Sequence, residues 1–441
     1  MSELPGGWME LKLGDVVNYA DNTTVQPDAM QEDAWLLELE DIERDSSRIL
    51  AYETVGKRKP QSAKNCFHAG DVLYGKLRPY LNKVVRADRN GYSSSEIIAI
   101  KPNQLDGGYL FHYLKSPCFR DYVQAVTHGV RMPRLGTEQA KTAPFLLPPL
   151  AEQKRIAQKL DALLAQVDTL KARIDAIPAL LKRFRQSTLA AAFSARLTGE
   201  APAEFDHWQE AKFSSVIEDL RYGTAQKCDY NGGTTGVLRI PNIGDRGIVL
   251  SDMKSSDFSE TEIKKLELMK GDIVLIRSNG SVELVGKSAL VSEKEQGLLF
   301  AGYLIRIRLD QAKSIPEFVN YWLKSPAIRQ VIEQIARSTS GVNNINSEEI
   351  KSLTFTFPSL SAQAEIVRRV EQLFACADQL EAKVATAQQR IDGLTQSLLA
   401  KAFRGKLVPQ DPSDEPASVL LERIRTQRAA TPKPKRGRKK V

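Results

Sequence analysis

Cysteine is scarce in this sequence: Cys66, Cys118, Cys228 and Cys376 are the only four in 441 residues, and no two form a CxxC pair. That spacing suggests neither a disulfide framework nor a zinc ribbon, and buried, reduced thiols are expected. Histidine is as scarce, and His68, His112, His128 and His207 show no HExxH or similar spacing, so no metal site is expected. No apolar run approaches the roughly 18 to 20 residues of a membrane span, and the start "MSELPGGWME" lacks the basic and apolar blocks of a secretory signal. A cytoplasmic protein is expected.

Catalytic signatures are missing too. There is no NPPF- or DPPY-type tetrapeptide, no convincing GxSxG, and no paired-carboxylate nuclease motif. The stretch "RSNGSVELVGKSAL", Arg277 to Leu290, resembles a phosphate-binding loop only superficially. Such a loop needs G-x-x-x-x-G-K-[ST] between a strand and a helix. Here Ser281 stands where the first glycine belongs, Gly280 is one residue too far from Gly286, and the following "SALVSE" is strand-like. A turn joining two strands of a hairpin is expected. The stretch does place donors and acceptors on an extended scaffold, namely Arg277, Ser278, Asn279, Ser281, Glu283 and Lys287. Arg and Asn can read guanine and adenine edges, and Lys or Ser can hold phosphates.

Net charge is +8, but six of those charges lie in Lys433, Lys435, Arg436, Arg438, Lys439 and Lys440, so residues 1–430 carry only +2. If the body binds nucleic acid, it must do so through arranged patches. One asymmetry is visible: residues 28–45 are rich in Asp and Glu, and residues 57–89 in Lys and Arg. Two differently solvated faces would explain it.

What the sequence does contain is itself, twice. "FLLPPLAEQKRIAQKLDALLAQVDTLKARIDAI" from Phe145 matches "FTFPSLSAQAEIVRRVEQLFACADQLEAKVATA" from Phe355 at a constant offset of 210 residues. Upstream, "LKSP" recurs at 114 and 323, and "GDV" at 70 answers "GDI" at 271. A repeat of this length is a repeated domain. In each copy a mixed domain precedes a long helix. Ile156, Leu160, Leu163, Val167, Leu170, Ile174, Ile177, Leu181 and Phe184 step by four and three, as do Ile366, Val370, Leu373, Ala377, Leu380, Val384, Ala387, Ile391, Leu394 and Leu398. Such stepping puts one apolar seam on each helix, as in paired coiled-coil helices. Connectivity makes antiparallel pairing the simplest solution, with the domains at opposite ends of a rod and related by a pseudo-twofold axis. Pro178 should kink the first helix or break it in two.

Runs such as "DVLYGKL", "EIIAIKP", "DIVLIR" and "GYLIRIRL" read as strands; "GGYLFHYLKS" with "PCFRDYVQAV", and "PEFVNYWLKS" with "PAIRQVIEQIAR", read as helices split before Pro117 and Pro326. The fold class is α+β. The expected organisation is a first domain at 1–147, a helical spacer at 148–205, a second domain at 206–357, a distal spacer at 358–410, and a C-terminal extension at 411–441. The basic end "TPKPKRGRKKV" is expected to be disordered.

This plan, with "FLLPPLAEQKRI" and "FPSLSAQAEI" opening the helices, resembles the specificity subunits of type I restriction-modification systems. "GDVLYGKLRPYLNKV", "RYGTAQKCDYNGGTTGVLRIPNIGDRG", "RSNGSVELVGKSAL" and "AFRGKLVPQDPSDEPASVLLERIR" are similar to stretches of that family. The resemblance implies two target recognition domains, each reading half of a bipartite double-stranded DNA site, with helices that set the gap and dock two modification subunits. It implies no active site in this chain. S-adenosylmethionine, ATP and Mg are expected on partner subunits, which methylate adenine, translocate and cut. For DNA contacts it points to Lys76, Arg78, Tyr80, Asn82, Lys83, Arg131 and Arg134 in the first domain. In the second it points to Tyr222, Thr224 and Lys227, the stretch from Arg277 to Lys287, and Asn343, Asn344 and Asn346. A coiled-coil scaffold that does not read DNA, and a stand-alone nuclease or NTPase, are the alternatives.

Overall fold

The computed structural model describes residues 4–19, 21–127, 131–194, 208–337 and 341–430. Contacts divide the chain into two compact units, residues 1–175 with 386–441 and residues 176–385. The division runs through both long helices, Leu150–Ala192 and Leu360–Ala402. Each unit thus holds one mixed domain, the start of the helix that follows it, and the end of the other helix.

Each domain is closed by its own two ends. Met9–Lys12 pairs antiparallel with Pro144–Leu147, and Gln209–Lys212 with Thr354–Phe357. Proline ends both closing strands, at Pro148 and Pro358, because it cannot donate to a ladder. A long helix begins two residues later.

Inside the first domain, Val72–Gly75 lies between Val84–Arg86 and Ile97–Ile100, all antiparallel. Inside the second, Ile273–Ile276 lies between Ser288–Leu290 and Leu304–Leu309, and Ile217–Tyr222 adds a fourth strand. Every residue of Val72–Gly75, Ile97–Ile100 and Ile273–Ile276 is buried, which explains why these runs are continuously apolar and do not alternate. A second sheet in each domain contains one parallel pair, Trp35–Leu37 with Gly91–Ser93 and Thr235–Leu238 with Leu299–Phe300. The helix pairs split as expected, into Gly107–Lys115 and Pro117–Thr127, and into Pro316–Lys324 and Pro326–Ala336. Arg277 to Leu290 is the expected connection between antiparallel strands, with the strand Ser288–Leu290 where a phosphate-binding loop would need a helix.

The long helices are part of the domain cores. In the first unit Ile156 and Leu160 pack with Leu399, Ala402 and Phe403 around Tyr109, Tyr113 and Phe145. In the second, Ile366 and Val370 pack with Leu189 and Ala192 around Phe318, Trp322 and Phe355. Each of the Ile, Leu, Val and Phe side chains contributes about 1.5 to 3 kcal/mol by burial. A repeated glutamine locks each joint. Fully buried Gln153 donates to the Pro148 carbonyl (2.9 Å) and accepts from the Asp106 amide (3.0 Å); Gln363 donates to Pro358 O (3.0 Å) and accepts from the Ile315 amide (2.9 Å).

Within each unit the helices run antiparallel. In the first, Lys171 pairs with Asp392 (2.8 Å) and Asp175 with Gln388 (2.8 Å); in the second, Arg185 reaches Asp378 (2.5 Å) and Glu381 (3.0 Å). The seam follows the predicted stepping at Ile156, Leu160, Val167, Leu181, Ile366, Val370, Ala377 and Val384, all buried, with Leu163, Ile174, Leu373 and Ile391 half-buried. It departs at Leu170 and Phe184 and, one repeat later, at Leu380 and Leu394, all of which are exposed. Charged partners take over the contact at these turns, with Lys171 and Arg185 bonding across the pair.

Three other expectations are corrected. Of the two outcomes expected at Pro178, a kink or a break, the break is excluded, since Leu150–Ala192 is one continuous helix that contains the proline. Cys118 and Cys376 are exposed, on the outer sides of their helices; Cys66, in a strand, and Cys228, in a loop against the second domain's smaller core cluster, are half-buried. The acidic and basic runs of the first domain do not form separate faces: Arg58 pairs with Asp41 (2.6 Å) and Lys64 with Glu38 (2.7 Å), folding one run onto the other. The C-terminal extension adds a helix that periodicity did not reveal, Ala417–Ala430, whose Ala417, Leu420, Leu421 and Ile424 complete the first domain's core. The basic end, 431–441, lies outside the described residues. No described helix is long and apolar enough to cross a membrane.

Candidate nucleic-acid interface

Both domains bring the same two loops together. In the first, the chain leaves Val72–Gly75 and is caught on both sides: the Lys76 amide donates to Glu96 O (2.9 Å), and the Leu135 amide donates to Lys76 O (2.9 Å). Leu77 forms a bridge with Arg134, and the Arg78 amide donates to Pro133 O (2.8 Å). A tight turn at Pro79–Leu81 follows, flanked by Arg78 (φ 49°) and Asn82 (φ 48°), both left-handed. Lys76, Arg78 and Tyr80 are thereby brought beside Arg131 and Arg134, which sequence distance alone would not suggest.

The second domain repeats this plan. The Arg277 amide donates to Tyr303 O (2.9 Å), the Ile345 amide donates to Arg277 O (2.9 Å), and Ser278 and Asn279 pair with Asn344 and Asn343. Arg277 therefore occupies the backbone position of Lys76. Its guanidinium lies 4.5 Å from the centre of the Tyr222 ring, and its Nε donates to Asn344 Oδ1 (3.2 Å). The Tyr222 hydroxyl accepts from the Ser347 amide (2.9 Å), which fixes the ring. Gly223 follows because a Cβ there would collide with the Phe300 and Ala301 carbonyls, and this close approach sets Tyr222 beside the Leu304–Leu309 strand.

Not every predicted contact residue faces outward. In the first domain Asn82 is buried, and Lys83 donates to Leu39 O (2.8 Å) from a part-buried position that lowers its pKa. Arg134 is held by Glu96 through two bonds (3.1 and 3.2 Å). Arg78, Tyr80 and Arg131 are exposed, and no ion pair engages either arginine among the described residues. Tyr80 and Arg131 line a cleft of about 600 Å³ together with Arg120 and Gln124.

In the second domain Lys287 pairs with Asp245 (2.7 Å), which holds that carboxyl below its ordinary range. Asn346 caps the helix Ser347–Lys351 and is bonded back by Glu349. Thr224 is buried and accepts from the Gln226 amide (3.0 Å). Asn279 accepts from the Ser281 amide (2.8 Å), and Asn343 donates to Gly280 O (3.0 Å), so these amides shape the loop pair. Lys227, Ser281 and Glu283 are exposed. Sequence reasoning missed Tyr303, 64% exposed next to Arg277, and Met132, 52% exposed next to Arg131. Neither belongs to a polar motif, and only the pairing of the loops reveals them.

The loop pairs present guanidinium, ammonium, amide, hydroxyl and aromatic groups on anchored backbone, the chemistry that reads base edges and phosphates. A family model described as type I restriction modification DNA specificity domain matches residues 5–179 and again 206–387. The chain is 37% identical over 354 residues to the EcoKI specificity subunit of Escherichia coli K12, covering 77% of this chain and 76% of that one. It is also 37% identical over 356 residues to the StySPI specificity subunit of Salmonella potsdam, covering 78% and 76%. In fold it is similar to the HsdS subunit of Thermoanaerobacter tengcongensis (TM-score 0.62, 20% identity, covering 92% of this chain and 98% of that one). It is also similar to a chain from a structure titled for complex assembly and conformational transition of the type I R-M system (TM-score 0.69, 17% identity, covering 92% and 100%). With two matched copies and that level of identity over most of its length, the chain belongs to the type I restriction-modification DNA specificity family.

Proposed function

We propose that this chain is the DNA sequence-recognition subunit of a type I restriction-modification complex and does no chemistry itself. Each domain reads one half of a bipartite, asymmetric site in double-stranded DNA. The long helices set the gap between the halves and dock two methyltransferase subunits, and restriction subunits join through these. S-adenosylmethionine, ATP and Mg belong to those partners.

The single observation that carries this reading is the recurrence of the anchored loop pair, Lys76 to Asn82 with Arg131 to Leu135 and Arg277 to Lys287 with Gly341 to Asn346. The scaffold is the same in both copies while the side chains on it differ. Two readers of unlike sequence require this, because phosphate contacts position a protein and base contacts specify its site. Methylated adenines mapped across host DNA with and without this gene test the proposal. One bipartite motif should vanish with the gene; loss of no motif would overturn the proposal, and so would loss of a single continuous one.

A further inference from the structure

The geometry assigns to Arg277 the reading of one guanine in the half-site of the second domain, with Tyr222 and Asn344 as its positioning residues. This rests on the proposal that the loop pairs meet DNA. Arginine reads guanine by presenting two parallel N–H groups to O6 and N7, a contact that needs the guanidinium plane held in one orientation. A free arginine loses much of its rotamer entropy to do so.

Arg277 has that cost met in advance. Its backbone is bonded on both sides, to Tyr303 and Ile345. One face of the guanidinium lies on Tyr222 at 4.5 Å, and Nε is committed to Asn344. The clamp is itself held: the Tyr222 hydroxyl accepts from the Ser347 amide, and Asn344 sits in the short ladder opposite Ser278. These bonds engage Nε and one face of the guanidinium, and no hydrogen bond or ion pair among the described residues engages the terminal Nη pair of this half-exposed side chain. Exposed Tyr303 is joined to the Arg277 backbone. The same backbone position in the first domain carries Lys76, a point charge with no such clamp among the described residues, so the first domain lacks a held, planar fork at this position.

The test uses the full chain co-expressed with its own methyltransferase partner, with adenine methylation mapped over the whole genome. R277Q and R277K should both relax one guanine of the second half-site, and discrimination there should fall by roughly 10-fold to 100-fold. The first half-site should be unchanged, which also reports that the variants fold. Y222A and N344A should relax the same position more weakly, and Y222F, which keeps the stacking face, should restore most of the discrimination. A merely structural role for Tyr222 or Asn344 would lower methylation at all sites without base selectivity. The inference is overturned if R277K keeps the guanine, if the relaxed position is an A·T pair, or if methylation falls evenly over all sequences, as for a phosphate contact. A wild-type chain that directs no bipartite motif would overturn the parent reading, and this inference with it; a bipartite motif indifferent to Arg277 would overturn this inference alone.

Discussion

At the scale of single residues, the distinction that matters is between side chains that the fold uses and side chains that it leaves for a partner. Arg78 and Arg131 are exposed beside one another in the first loop pair, so replacing either with Gln should cost about 1 to 3 kcal/mol of binding and relax the first half-site alone. Asn346→Ala should instead cost about 1 kcal/mol of folding stability, as the loss of a helix cap, and leave the methylated sequence unchanged. The sequence could not separate these cases. Asn343, Asn344 and Asn346 are the same residue type in one short run, and only the register of two loops far apart in sequence decides which amide caps a helix and which holds an arginine. Two half-buried lysines give a pH test. Lys115 and Lys324, equivalent residues of the repeated "LKSP", are both pulled down to about 8 by desolvation. The unfolded chain holds these protons up to the ordinary value of about 10.4, so above about pH 8 it binds more protons than the folded protein and stability rises with pH. Between about pH 7.5 and 9.5 the thermal midpoint of the wild type should therefore gain on that of K115M or K324M. A constant difference over that range would show that burial does not perturb these lysines.

Helices and strands were more legible than side-chain roles, because periodicity is a local signal and it repeats here at a fixed offset. The strands around Val72–Gly75 and Ile273–Ile276 were readable as apolar runs bounded by turn residues, and the long helices as four-three stepping. Less readable was how the seam ends at charged contacts near Leu170 and Leu380, since stepping records only where apolar residues stand. Ala417–Ala430 was hidden because its four buried residues cluster too briefly to show a period. Core position should govern cost within the helices. Ile156→Ala or Ile366→Ala should destabilise by about 2 to 5 kcal/mol in chemical unfolding, and Leu170→Gln by about 0.5 kcal/mol or less. Gln153→Ala and Gln363→Ala should each cost about 1 to 3 kcal/mol, because buried amides at the domain joint lose their acceptor. Equal losses at Leu170 and Ile156 would contradict the assigned seam.

For the molecule as a whole, duplication was the most informative feature of the sequence, and family resemblance turned it into a function. Neither gave the identity of the bases, which depends on the side chains set on each loop pair. Residues 431–441 carry six basic side chains, so their deletion should flatten the salt dependence of DNA binding while leaving the methylated sequence intact. The central claim is that the helices determine the spacing between two independently read half-sites, and one measurement tests it directly. Because Lys171 faces Asp392, a heptad inserted at both positions preserves the seam and lengthens the pair by about 10 Å, the length of about three base pairs. Methylation mapping of that variant with its partners should yield both half-sequences unchanged and a gap longer by about three base pairs. An unaltered gap, or altered bases in either half, would contradict the account.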